Sequence, residues 1–178
     1  MRPGRFVILF LIFLLAGFGL LLAPFIQPAI LVFSRGLVSL SAGVIHLCGG
    51  HATVNGVVLR SPISGFGIEM RNGCNGLNVT ILLCAAMLAF PASRRWKAEG
   101  ILAGTAAIQG INLLRFISLY YIGQYSEPLF DFSHRYLWES LMMLDGMAAF
   151  GLWTNLSHRI ELHASPPPLT HPVRKKNK

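Results

Sequence analysis

FVILFLIFLLAGFGLLLAPF, residues 6–25, runs for twenty positions without one charged or amide side chain. A helix needs roughly 20 mostly apolar residues to cross about 30 Å of hydrocarbon, so this run reads as a membrane span. Arg2 and Arg5 precede it as they would in a signal peptide, but the apolar core is longer than an h-region and no small-x-small cleavage site follows. Three more runs qualify: 76–91, 98–122 and 134–156. The second of these is short and borrows Cys74 and Asn75 to reach across. With 53% hydrophobic residues and 12% charged residues in a chain of 178, the composition excludes a soluble globule.

Orientation follows from the basic residues. If both termini are inside, Arg2, Arg5, Arg94, Arg95, Lys97, Arg159, Arg174, Lys175, Lys176 and Lys178 are cytoplasmic, ten of the fifteen Lys and Arg residues. The short loop RRWK and the tail RKKNK weigh most, because positive charge retains short flanking segments on the cytoplasmic side. The formal charge of +8 therefore reports topology and contact with anionic lipid, not nucleic acid. Segment 29–48 is apolar enough to be a fifth span. It carries Arg35, serines and a histidine behind Pro24 and Pro28, and a crossing there would put RRWK and the tail on opposite sides. It is expected to lie at the outer interface.

After it the period changes. HATV and VVLR flank Asn55-Gly56, a strong hairpin signal, and Phe66, Ile68 and Met70 alternate with Gly67, Glu69 and Arg71. A small extracytoplasmic β element thus leads into Cys74. From His158 onward, Pro166 to Pro168 and the basic end suggest a disordered cytoplasmic tail, 158–178, behind a transmembrane domain, 1–157.

In this topology three unusual residues meet at one leaflet. Cys74 stands between Gly73 and Asn75-Gly76 at the mouth of the second span. Arg115, in INLLRFISLYYIG, lies roughly 10 Å below the outward end of the third span at 1.5 Å per residue. His134 opens the fourth, with Ser133 as its expected cap. An arginine in hydrocarbon costs about 2.5–3.5 kcal/mol on insertion scales. Snorkelling to the interface is one answer; Asn112, one turn below on the same face, favours an inward polar patch.

Each residue alone has a bland explanation: an interfacial histidine, a small buried thiol, a snorkelling arginine. Together they suit acyl transfer. A free thiol with pKa near 8.5 is only a few per cent thiolate at pH 7, so a nucleophilic cysteine needs a base beside it. Histidine takes that proton and returns it to a departing amine. Arginine holds an oxyanion with fixed donors, and Gly73 and Gly76 give a peptide close access to the thiol.

GCNGLN, NLLR and SHRYLW, in that order and each at the outer end of a span, resemble the exosortase and archaeosortase family of membrane cysteine transpeptidases. The compact length is similar to the exosortase H subgroup. The resemblance implies Cys74 as nucleophile, His134 as acid and base, Arg115 as transition-state stabiliser, and Asn112 as its companion. Asn75 stands where many relatives carry serine or threonine, and Gly76 matches the motif glycine. It also implies substrates that are exported proteins, anchored in the bacterial inner membrane by a C-terminal signal of short motif, transmembrane helix and basic end. Cleavage would occur on the extracytoplasmic side through a thioester, with no cofactor.

Other signals have other uses. Asn78-Val79-Thr80 matches a glycosylation sequon inside a span and carries no weight. Gly100-x-x-x-Gly104 is a close-packing pattern, within or between chains. Asp145, eleven residues after His134 and within about 20° of its helical face, is expected to find a partner inside the bundle. Tyr120 and Tyr121 suit the interfacial belt, and Cys84, deep in the second span, is structural. Cys48 and Cys74 could form a redox pair, although no C-x-x-C supports it, and the scattered histidines make no metal site. The fold class expected is an all-α membrane protein, a four-span bundle with an outer interfacial helix. The leading function is a sorting-signal cysteine protease and transpeptidase. A membrane thiol-disulfide oxidoreductase using Cys48 and Cys74, or a non-catalytic membrane assembly protein, stands as the alternative.

Overall fold

The computed structural model describes the backbone of residues 3–164 and the side chains as far as Ser157. Its elements are α1 (Pro3–Leu22), a 3-10 turn (Pro24–Ile26), α2 (Gln27–Leu47), β1 (Thr53–Asn55), β2 (Val58–Arg60), β3 (Gly67–Glu69), α3 (Leu77–Ala89), α4 (Arg94–Tyr125), α5 (Glu127–Phe132), a π turn (Ser133–Leu137) and α6 (Trp138–Ala164). By length and composition three stretches can cross a membrane: Pro3–Leu22, Pro24–Leu47 and Arg94–Tyr125, while Leu77–Ala89 is a shorter apolar helix. The expected tail begins inside α6, whose helix continues to Ala164; residues 165–178 lie outside the described residues.

The helices start and stop for local reasons. Ser93 caps α4 by accepting from Trp96 N–H at 3.3 Å. Ser126 ends α4 and caps α5, accepting from Leu129 N–H at 3.4 Å. The expectation that Ser133 caps the last helix is therefore corrected. The helix has already begun at Glu127, and Ser133 is buried inside a continuous run that widens into the π turn before α6.

α3 and α4 form an antiparallel hairpin closed by the loop after Phe90, so the start of α3 and the finish of α4 share one end of the bundle, called here the upper end. α1 packs along α3, with Gly17 against Ile81, and α6 packs against both α3 and α4. The two glycines of the small-x-x-x-small pattern are used within the chain. A Cβ on Gly104 would meet Leu83 at 2.6 Å, and one on Gly100 would overlap the Trp153 indole.

α2 is tied to the upper end at both of its own ends. Gln27 accepts from Asn72 Nδ2 at 3.1 Å, just before the Cys74 turn. Beyond its C-terminus, His51 O accepts from Tyr120 O–H at 2.6 Å. His46 closes the turn between α2 and β1, with Nε2 2.9 Å from Ala52 O and accepting from Ala52 N–H at 3.2 Å. The buried face of α2, including Leu37, Val38, Ala42 and Ile45, meets the sheet and the upper part of α4. Tyr120 belongs to this core at 1% exposure and not to an interfacial belt; its neighbour Tyr121 is exposed. Burying a side chain such as Val38 or Leu59 contributes roughly 1.5–3 kcal/mol.

The sheet is an antiparallel meander in the order β1-β2-β3. Asn55 pairs with Val58, so the two-residue turn is Gly56-Val57, one position later than the Asn-Gly dipeptide suggests. Gly56 takes φ 64°, which leaves the branched Val57 on the negative side where it belongs.

Candidate active site

The Cys74 turn is built from glycine conformations. Gly73 has φ 96° and Gly76 φ 74°, left-handed values that a side chain resists. Gly76 is also crowded: a Cβ there would lie 3.0 Å from Gln109 Nε2 and 3.3 Å from Asn112 Cγ. The turn is held from both sides. Cys74 N–H donates to Arg71 O at 3.0 Å. The buried Asn75 donates through Nδ2 to Ser34 Oγ at 3.3 Å and accepts from Leu77 N–H at 3.3 Å. Asn75 thus fastens the turn to α2 and opens α3.

Cys74 Sγ lies 3.5 Å from His134 Nε2. With the ring hydrogen on Nδ1, the thiol donates to Nε2, the arrangement a general base needs. His134 sits in the π turn, a wide turn frequent at functional sites, with Phe130 packed against its ring at 5.6 Å between centroids. Arg115, 3% exposed, lines the same cleft with Ile68, Glu69, Phe116 and Leu119. Arg115 is inward, which settles the question of snorkelling for its side chain. Among the described residues it has no ion pair; the Glu69 carboxylate is engaged by Arg71 Nε at 2.9 Å. A cation buried without an anion is costly and suits a site where negative charge appears only during reaction.

The cleft is small. Its volume is about 10 Å³, roughly one water. Beneath it, one turn below Arg115, Asn112 is fully buried with neither amide atom partnered among the described residues, and Gln109 Oε1 is likewise without a partner there.

The transmembrane exosortase model (Exosortase_EpsH) matches residues 2–156. The chain belongs to the transmembrane exosortase family. No curated protein and no solved structure matches it. As an exosortase it is a multi-pass membrane protein of a sorting transpeptidase family.

In this exosortase the residues singled out in the sequence, Cys74, His134, Arg115, Asn75, Gly76 and Asn112, fall at the cleft or directly beneath it. Sequence reasoning missed Glu69 and Ile68, which wall the cleft, and Phe130, which sits on His134. Strand alternation up to Met70 marked the strand but not its place at the cleft, and the four-residue spacing put Phe130 and His134 on one helical face. Asp145 is corrected. It is half-buried, with no ion pair or hydrogen bond among the described residues. All three cysteines are free, Cys48 being exposed at the end of α2, and no cluster of potential metal ligands occurs among the described residues.

Proposed function

We propose that the chain is a cysteine endopeptidase and transpeptidase acting on exported proteins that end in a short motif, a transmembrane helix and a basic tail. The observation that carries this is the Cys74 Sγ to His134 Nε2 approach of 3.5 Å at a cleft shared with the buried Arg115. His134 takes the thiol proton as Sγ attacks the scissile carbonyl carbon, and the displaced electron pair becomes an oxyanion facing Arg115. Collapse expels the amine, which leaves with the proton from His134, and the substrate's acyl group stays on Cys74 as a thioester. An acceptor amine or water then attacks that carbonyl, passes its proton through His134, and releases the thiol.

The topology that goes with this reading has α1, α3, α4 and α6 as spans, α2 at the outer interface, and the upper end facing outward from the bacterial inner membrane. Both ties of α2 to the upper end support it, as do Arg94, Arg95 and Lys97 at the lower end.

The test is co-expression with an exported reporter carrying such a tail, followed by mass spectrometry of the new C-terminus. Wild type and Cys48→Ala should process it, and Cys74→Ala should not. Normal processing by Cys74→Ala would sink the mechanism, and equal loss from both cysteine variants would favour redox chemistry.

A further inference from the structure

β3 is one of the two edge strands of the sheet, β1 being the other. Ser61 N–H donates to Phe66 O at 2.8 Å and Met70 N–H to Val57 O at 2.9 Å. Bonded and non-bonded pairs alternate in an antiparallel ladder, so Leu59 and Ile68 form the bonded pair between those two. Gly67 and Glu69 fall in the non-bonded pairs opposite Arg60 and Val58. Their N–H and C=O groups point away from β2, and among the described residues no other group takes them. Both residues are exposed, and Glu69 also walls the Cys74 cleft.

A cleft of about 10 Å³ cannot swallow a polypeptide, so a substrate has to pass over its rim. We propose that the substrate segment containing the scissile bond binds in extended form as an added strand on the Gly67–Glu69 edge, which delivers its carbonyl to Cys74. This rests on the peptidase reading above. Strand addition supplies affinity through the main chain, independent of side chains, and places the new strand about 4.8 Å from β3. Specificity then falls to alternate side chains. Those turned toward α2 meet a groove of about 500 Å³ lined in part by Gln27, Ser34, Met70, Arg71 and Asn72, with Glu69 common to groove and cleft. Its mixture of amide, hydroxyl and paired charges suits a polar motif.

The experiment uses the full-length enzyme in membranes with the tailed reporter. Gly67→Pro deletes an N–H that β2 does not use, and edge strands tolerate proline. Processing should fall about tenfold while Cys74 is still alkylated by iodoacetamide at the wild-type rate. Wild-type processing by Gly67→Pro overturns the proposal and leaves the peptidase reading standing. A change of oligomeric state without a change in processing assigns the edge to a second copy and also overturns it.

A second measurement avoids altering the enzyme: backbone amides of the reporter are replaced one at a time by esters around the cleavage site. Loss at alternate positions is the expected pattern, whereas loss at none or at all of them overturns strand addition. If the unmodified pair shows no processing, the peptidase reading fails and this proposal falls with it.

Discussion

Arg115 is buried without an anionic partner among the described residues, and its replacement by lysine separates charge from geometry. Arg115→Lys keeps the cation but loses the guanidinium fork, so reporter processing should drop by roughly a hundredfold with membrane insertion unchanged. Full activity in that variant would reduce Arg115 to a structural residue. Asn112 poses the opposite case. Because both of its amide atoms are buried and unpartnered, Asn112→Leu should leave the melting temperature in detergent equal or higher while processing falls; unchanged processing would make Asn112 mere filler. Gly76→Ala should cost about 1–2 kcal/mol from its left-handed φ and slow iodoacetamide alkylation of Cys74 as the turn shifts. Wild-type melting and alkylation in Gly76→Ala would show that the turn accommodates a side chain. The convergence of Cys74, Arg115 and His134 on one cleft was legible in the sequence because each residue type is expensive or reactive where it stands. Glu69 was not, since its place at the cleft depends on how the sheet meets α4.

Elements reveal where local rules stop being enough. The hairpin was legible to within one residue; the shift to Gly56-Val57 follows from cross-strand pairing, which dipeptide statistics do not contain. Ser133 resembled a cap because nothing local says that the helix has already begun at Glu127. The Gly100 and Gly104 pair was legible as a contact but not its partner, which folding made Trp153 and Leu83. Gly100→Leu should therefore displace Trp153, loosen α4 from α6 and lower the detergent melting temperature. A normal melt would show that the glycine is not required for packing. Tyr120→Phe removes the bond to His51 O and should cost about 1 kcal/mol, seen as faster proteolysis of the α2–β1 connection.

For the whole molecule, membrane class was legible from apolar runs alone, whereas hydropathy alone ranks α2 with the spans and the proposed interfacial path rests on its polar residues and the charge balance. Leu31, Val32 and Leu40 are exposed while the opposite face covers the sheet, so in the proposed topology a helix serving both lipid and sheet would have the hydropathy of a span. In the proposed topology a cysteine at Asn55, in a Cys48→Ala background, should react with an impermeant thiol reagent added from outside. Labelling only from the cytoplasm would overturn the orientation. The π turn ties this scale back to the smallest. The run from α5 into α6 contains a widened turn, and removing one residue from it would rotate α6 against α5 by about 100°. Cys74, Arg115 and His134 would all survive such a deletion, yet histidine and thiol would be out of phase. The proposed activity is thus keyed to a length as well as to a set of side chains, and a chain carrying the full motif set would lose it with the deletion of a single codon between His134 and Trp138.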